Sequence, residues 1–263
     1  MGTATMNSGS IRLQPSPRLH YLLRLGDSCL ILGQRLGQWC GHAPVLEEDI
    51  ALANMALDLI GQARALLTLA GQDGGQGFDE DQLAFLRDEA DYLNPTLVEL
   101  PRGDFAFTVL RNLMVSTWHK QLWTRLCQST DEELAAIAGK AVKESRYHQQ
   151  HAADWVVRLG DGTSESHQRC VAALGQLWRY TPELFADDVV DTSAAASGLG
   201  PAGSELQPAW LAEVSEVLAE ATLALPAASA FRSTGKVGRH TEHMGFLLAE
   251  MQSLQRTHPG GVW

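Results

Sequence analysis

The sequence predicts an all-α fold, a bundle of four long helices with additional shorter helices. Apolar and small residues recur every three or four positions over four stretches of at least twenty residues, which is the periodicity of amphipathic helices. No segment alternates apolar and polar residues with enrichment in β-branched residues, and strands do not alternate with helices. A doubly wound or barrel fold is therefore excluded. The lack of an internal repeat of about 20–50 residues argues against a solenoid.

The first two predicted helices form an antiparallel hairpin. Residues 18–40 carry Gly26, Gly33 and Gly37 on one stripe, where the missing side chains allow a second helix to approach closely. The second helix is expected to begin near Leu46, because three acidic residues follow at positions that favour a helix N-terminus. A tight crossing between these two helices is predicted.

The later helices follow from capping residues and breaks. Asp104 is placed to cap the third long helix, and Ser129 or Thr130 to cap the fourth. Asn94 and Pro95 end a shorter helix that precedes them. The helices predicted after the hairpin span residues 79–92, 105–127, 131–159, 165–180, 210–225 and 239–256.

Composition divides the chain into a tail and one helical domain. Residues 1–17 have little apolar material to bury and are predicted to be a mobile tail. Residues 18–258 are predicted to form a single domain. Within it, residues 187–207 are rich in Ser, Ala, Gly and Pro and are predicted to be a flexible linker.

Charge and cysteine content limit the classes of function. The 263-residue chain has 31 acidic residues and 20 Lys and Arg, a formal net charge of −11. That field repels nucleic acid and anionic lipid surfaces, so neither is an expected partner. The four cysteines show no C-x-x-C spacing, which favours free thiols in a reducing, cytoplasmic compartment. Motifs of zinc proteases, α/β-hydrolases and nucleotide-binding loops are absent from the sequence.

A bundle of long helices can hold a di-iron or di-manganese carboxylate site, and the sequence tests this directly. Such a site takes one Glu from each of two helices and a Glu-x-x-His from each of the other two. None of the nine histidines has an acidic residue three positions before it, and residues 105–130 contain no acidic residue. The sequence therefore predicts no catalytic, cofactor-binding or metal-ligating residue in this chain.

Polar residues nevertheless lie on the inner rows of the predicted helices. Glu144, His148 and His151 form a stripe on the fourth long helix, with Gln62 and His119 as candidate partners. We interpret them as a hydrogen-bonded polar pocket, in which Arg64 or Arg146 neutralises the acids. The alternative is an atypical metal site in a catalytically active chain. The predicted pocket consists of Asp27, Asp58, Gln62, His119, Glu144 and His148, and the atypical site would use its members Asp27, Asp58, Glu144 and His148.

A second histidine group lies near the C-terminus. His240 and His243 flank Glu242, but Glu242 points away from the face that the two histidines share. A surface or interface role is expected for this pair.

Several segments together resemble a known family. They are residues 20–27, 33–36, 49–64, 112–123, 143–148 and 239–256. In this order they resemble the non-catalytic, ferritin-like C subunits of bacterial multicomponent phenylacetyl-CoA epoxidases. The resemblance extends over about residues 19–260 and is absent from the tail and from residues 187–207.

The resemblance implies a ferritin-like structural subunit that pairs with a homologous catalytic subunit holding a di-iron centre. It also implies a small accessory subunit and a reductase with flavin and an iron–sulfur cluster, in a hetero-oligomer that uses O₂ and NADPH to epoxidise phenylacetyl-CoA. No catalytic residue of that family can be assigned to a position of this sequence. The chain itself is expected to bind no cofactor.

A chain with such a role should present a large, relatively apolar contact surface. The predicted C-terminal helix is one candidate for this surface. Its apolar residues could equally be internal, because interfaces and cores share the same composition. The candidate contact residues are Met244, Phe246, Leu247 and Met251.

Overall fold

The computed structural model describes residues 11–73, 77–258 and 261, and within these residues it contains ten α-helices and no β-strand. Backbone pairing of the β type is limited there to one isolated bridge between Thr234 and Arg239. The all-α prediction is therefore confirmed. The helices are α1 Pro17–Gly37, α2 Leu46–Asp73, α3 Glu80–Phe85, α4 Thr96–Glu99, α5 Phe105–Leu126, α6 Glu132–Gly160, α7 Ser164–Leu177, α8 Val189–Ser197, α9 Gln207–Glu220 and α10 Glu242–Thr257.

Two helical hairpins, α1 with α2 and α5 with α6, form the bundle, and α2 also packs against α6. The α1–α2 crossing is as close as the glycine stripe predicts at two of its three positions. A Cβ added at Gly26 would lie 2.9 Å from Leu67 Cδ2, and one added at Gly33 would lie 3.1 Å from Ile60 Cδ1. Gly37 has nothing within 4 Å of that position, so the crossing does not require its glycine.

The N-termini of the second hairpin show one confirmed cap and one correction. Asp104 accepts a hydrogen bond from Phe107 N at 2.8 Å and caps α5 as predicted. Helix α6 is capped by Asp131, which accepts from Leu134 N at 3.0 Å. Ser129 and Thr130 do not take this role; their hydroxyls donate to Leu199 O at 2.6 Å and to Ser197 O at 3.2 Å.

The helix predicted over residues 79–92 is shorter in the structure. Helix α3 ends at Phe85 and is followed by a 3₁₀ turn at Glu89–Asp91. Arg87 turns inward between them, and its Nε donates to Leu83 O at 2.5 Å. In a longer helix a backbone N–H would donate to the Leu83 carbonyl, and here the Arg87 guanidinium donates to it instead.

The segment predicted as a linker contains helix α8 and a 3₁₀ turn at Gly203–Leu206. Asp188 caps α8 by accepting from Val190 N at 2.9 Å, and the helix ends at Gly198 with φ of 73°. The Asp188 carboxylate also pairs with the buried Arg24 of α1, which holds α8 on the bundle.

The tail prediction is only partly covered by the structure. Residues 1–10 lie outside the described residues. Ile11 and Leu13 are partly buried against the hydrophobic core, and Ile11 N donates to Leu86 O at 3.4 Å. Helix α1 begins at Pro17, one residue before the predicted start, with Ser16 as its cap.

Candidate functional site

A chain of hydrogen bonds crosses the middle of the bundle. Cys29 Sγ of α1 donates to Gln62 Oε1 of α2 at 3.4 Å, and Gln62 Nε2 donates to Glu144 Oε2 of α6 at 2.8 Å. Burial raises the pKa of the Cys29 thiol, and the charges of Glu144 and Asp27 raise it further. The thiol is therefore protonated and acts as a donor, not as an anionic ligand.

A histidine–carboxylate pair joins α6 to α2 beside this chain of hydrogen bonds. His148 Nε2 donates to Asp58 Oδ2 at 3.0 Å, and His148 is only 4% exposed. Burial lowers the pKa of His148, and Asp58 opposes that effect in part. The Asp58 side chain is 37% exposed, so this carboxylate lies at the edge of the bundle. A second pair, His151 Nε2 to Glu48 Oε2 at 2.8 Å, joins the same two helices near the start of α2.

His119 of α5 completes the group. It is 2% exposed, and its ring contacts those of Trp118 and Trp123, with centroid distances of 4.9 and 5.8 Å. Burial lowers the pKa of His119 to about 3, with a further contribution from His148. The imidazole is therefore neutral near pH 7. We call Cys29, Asp58, Gln62, His119, Glu144 and His148 the polar layer.

Asp27 lies apart from the polar layer, although the sequence predicts it in the same pocket. Both its side chain and that of Arg87 are fully buried, and Arg87 Nη1 donates to Asp27 Oδ2 at 3.0 Å. Leu93 N donates to the same oxygen at 2.8 Å. The carboxylate is thus fully engaged by a cation that sequence spacing could not identify, because Arg87 lies 60 residues along the chain.

The cation near the acids of the polar layer also differs from the arginines that the sequence predicts. Arg64 pairs with Glu80 at 2.9 Å and not with a member of the polar layer. The cation near Glu144 is Lys140, with Nζ 3.5 Å from Glu144 Oε1.

The donor set does not fit a di-iron centre. Within residues 11–73, 77–258 and 261, no group of three or more His, Cys, Asp or Glu side chains is arranged to hold a metal ion. Helix α5 offers only the neutral His119 to the layer. Asp58 and Glu144 each accept a hydrogen bond from a protein side chain. Two iron ions would need about four carboxylates directed at one point, and the layer has two.

The structure contains a second buried polar group, formed by Glu99 and His240, and neither residue belongs to the pocket that the sequence predicts. Glu99 of α4 and His240 have fully buried side chains, and His240 Nδ1 donates to Glu99 Oε2 at 2.6 Å. His240 Nε2 donates to Tyr92 O at 2.8 Å. The surface role expected for His240 is therefore wrong. We call Asp27, Arg87, Glu99 and His240 the buried clamp. Tyr92 connects the Asp27–Arg87 pair to the Glu99–His240 pair, because the Arg87 guanidinium lies 4.3 Å from the centre of the Tyr92 ring and His240 bonds the Tyr92 carbonyl.

His240 carries a charge in this position. Both of its ring nitrogens face acceptors, which requires two ring protons. Although burial lowers the pKa of His240, the hydrogen bond and charge of Glu99 raise it more, with a smaller contribution from Tyr92 O. The clamp thus contains an imidazolium, whereas the polar layer contains neutral imidazoles.

Comparison with known proteins identifies the family. The PaaA/PaaC family, described as phenylacetic acid catabolic protein, matches residues 3–263. The chain belongs to this family. It is also 52% identical over 243 residues to the C subunit of the 1,2-phenylacetyl-CoA epoxidase of Escherichia coli (strain K12), and this match covers 92% of the chain and 98% of that relative.

Membership of the PaaA/PaaC family confirms the resemblance seen in the sequence, and the fold is ferritin-like as that resemblance implies. The helical hairpins of this family member place the polar layer between α1, α2, α5 and α6. The sequence lacks the Glu-x-x-His spacing of metal ligands, and the helices on which such ligands would lie are those that surround the polar layer.

The predicted contact residues of α10 separate into two groups. Met244 and Leu247 are 0% and 3% exposed and pack in the core of this PaaA/PaaC family member, so they are not on its surface. Met251 is partly buried against the same core. Phe246 is 73% exposed and is the one of the four that is open to contact.

Proposed function

We propose that this chain is the non-catalytic C subunit of a phenylacetyl-CoA epoxidase. The observation that carries the proposal is the polar layer, in which the carboxylates of Asp58 and Glu144 accept hydrogen bonds from protein side chains of a ferritin-like bundle. The 52% identity to the C subunit of the Escherichia coli epoxidase supports the same assignment. A chain that keeps the fold without the ligands supplies packing and not redox chemistry.

The chain's own residues stabilise one arrangement of helices. The polar layer ties α1, α2 and α6 together, and the buried clamp joins α4 to the segment before α10 and α1 to the segment after α3. The expected partners are a homologous catalytic subunit that holds the di-iron centre, a small accessory subunit, and a reductase with flavin and an iron–sulfur cluster. Such a cytoplasmic hetero-oligomer would use O₂ and NADPH.

Reconstitution tests this proposal. The catalytic subunit and reductase are assayed for epoxidation of phenylacetyl-CoA with wild-type chain, without the chain, and with the Glu144→Gln, His148→Gln double variant. We expect activity to require the chain and the double variant to retain it within about threefold, since its protein hydrogen bonds are weakened but no ligand is lost. Loss of activity by more than about a hundredfold in a folded, assembled complex would indicate that the layer takes part in the chemistry.

A pull-down tests the association separately. A tagged chain isolated from cells grown on phenylacetate should bring with it a homologous helical subunit that contains iron. Recovery of the chain alone, under conditions in which the epoxidase is active in the same cells, would contradict the assignment as a subunit.

A further inference from the structure

A small internal cavity lies between α1, α5 and the 3₁₀ turn at Gly203–Leu206. Its volume is about 40 Å³, and most of the residues that line it are apolar. Its polar and charged lining residues are Tyr21, Arg24, Ser28, Asp191 and Lys236. Every lining residue is buried except Lys236, which is partly exposed. We call this space the Tyr21 cavity.

The hydroxyl of Tyr21 has no protein partner. Tyr21 is 4% exposed, and its Oη makes no hydrogen bond with any residue that the structure describes. The Oη atom lies against Gly200, which precedes Pro201 of the cavity lining. Burial raises the pKa of the phenol, and the charge of Asp191 raises it further, so the hydroxyl stays protonated. A buried donor without a hydrogen bond is costly, and a partner for it is therefore expected in the adjoining space.

The charged groups of the cavity compensate one another. Arg24 Nη1 donates to Asp188 Oδ1 at 2.9 Å and to Asp191 Oδ2 at 3.3 Å. Lys236 Nζ donates to Asp191 Oδ2 at 2.8 Å. Two cations thus face two carboxylates, and an ion that entered the cavity would bury a charge without a counter-charge. The occupant of the cavity is therefore expected to be neutral.

Acceptors for a neutral occupant lie in the same lining. Arg24 and Lys236 both donate to Oδ2 of Asp191, which leaves Oδ1 for another donor. Ser28 Oγ uses its proton in a bond to Arg24 O at 2.6 Å, so its lone pairs are also available. A buried water makes about two to four hydrogen bonds. The Tyr21 hydroxyl as donor and these two oxygens as acceptors supply that number.

We propose that the Tyr21 cavity is a water-binding site, in which water accepts a hydrogen bond from Tyr21 Oη and donates to the carboxylate of Asp191. The volume exceeds the roughly 10–15 Å³ that one buried water needs, and it is well below the roughly 150 Å³ of a cavity that takes benzene. The site therefore holds about two or three water molecules and excludes aromatic ligands. Because Tyr21 belongs to α1 and Asp191 to α8, this water fastens α8 to the bundle beside the direct Arg24–Asp191 pair.

The sign of one substitution tests the proposal. Removing a hydroxyl that has no partner would leave stability unchanged or raise it, whereas removing one that bonds to water costs a hydrogen bond. Tyr21→Phe should therefore lower the midpoint temperature of thermal unfolding by about 2–4 °C. A midpoint equal to or above that of wild type would overturn the proposal.

Two other tyrosines calibrate this measurement. Tyr92→Phe removes a buried hydroxyl that donates to Ala84 O, and it should lower the midpoint because a known hydrogen bond is lost. Tyr147 is 54% exposed, and Tyr147→Phe should leave the midpoint unchanged.

Oxygen-17 relaxation dispersion of the solvent counts the long-lived internal waters directly. Leu25 lines the cavity, and Leu25→Phe places a larger side chain there. We expect this variant to hold at least one long-lived water fewer than wild type. Leu57→Phe, at an exposed position of α2, should hold the same number as wild type. An equal count in wild type and in a Leu25→Phe variant that is folded by circular dichroism would overturn the proposal.

Xenon distinguishes a dry cavity from a hydrated one. A dry apolar cavity takes up xenon, whereas a cavity that holds ordered water does not. We expect crystals of the wild-type chain under xenon pressure to contain no xenon beside Tyr21. Xenon bound there would show that the cavity is dry and would overturn the proposal, and this result does not depend on the folding of any variant.

Discussion

The polar layer and the buried clamp are both made of carboxylates and imidazoles, but they differ in charge. In the layer, His119 and His148 have lowered pKa values and are neutral, and Asp58 and Glu144 reach toward the bundle edge. In the clamp, each fully buried carboxylate faces a cation of the same chain, Arg87 for Asp27 and His240 for Glu99. The chain therefore compensates its fully buried acids with its own cations. The two regions should respond oppositely to pH and very differently to mutation.

The largest effect is expected at the Asp27–Arg87 pair of the clamp. Arg87→Met leaves a buried carboxylate without its cation and should lower the free energy of unfolding by about 3–5 kcal/mol. Urea unfolding at pH 7 measures this loss. The Asp27→Leu, Arg87→Met double variant removes both charges and should recover a large part of it. A single variant as stable as wild type would show that the pair is not buried as described.

The next effect is the acid response of the polar layer. The folded-state pKa of His119 is about 3, below the ordinary value of 6.5. The unfolded chain therefore binds a proton that the folded chain does not, and stability falls as pH falls below 6.5. The loss should be about 2 kcal/mol between pH 6.5 and 5 at about 1.4 kcal/mol per pH unit. The free energy of unfolding, measured in urea over this pH range, should fall less steeply with decreasing pH in His119→Phe than in wild type. The exposed control His42→Gln should keep the wild-type dependence on pH.

The clamp should respond in the opposite direction. The pKa of His240 is raised in the folded state, so its stabilisation is complete below pH 6.5 and is lost as pH rises through the raised pKa. The loss should be about 1–2 kcal/mol, the range of one charged hydrogen bond. His240→Gln removes this loss of stability at high pH. The free energy of unfolding of this variant should therefore change less than that of wild type between pH 6.5 and 9. A wild-type profile that rises with pH in this range would mean that His240 is neutral when folded.

The smallest effect is expected at the edge of the layer. The Glu144 side chain is 15% exposed and bonds Gln62 and the exposed Lys140. Glu144→Gln should change the free energy of unfolding by about 1 kcal/mol or less, because solvent reaches the pair. Asp27→Asn in the clamp provides the comparison and should cost several times more. Equal losses at the two positions would remove the distinction between layer and clamp.

Local signals predicted much of this fold. The glycines at 26 and 33 predicted the close α1–α2 crossing, and Asp104 predicted the start of α5. The spacing along each helix also identified Gln62 and Glu144, which do bond to each other. The glycine crossing and the Asp104 cap depend on residues within one hairpin or one helix turn, whereas Gln62 and Glu144 belong to different hairpins and were identified because each lies on the inner row of its own helix.

The failures have a common physical cause. Asp27 pairs with Arg87 and Glu99 with His240, at separations of 60 and 141 residues, and no local pattern encodes such a pairing. Helix α8 was missed because its alanines and serines resemble a linker, although Asp188 and Gly198 mark its two ends. Its position depends on Arg24, which is again distant along the chain.

Iron content tests the central claim most directly. The purified wild-type chain is incubated with Fe(II) without oxygen, separated from free metal and analysed for iron. We expect less than about 0.1 iron per chain, because the polar layer has no carboxylate set to bind a dinuclear centre. About two irons per chain would contradict this claim, since that is the content of a di-iron bundle.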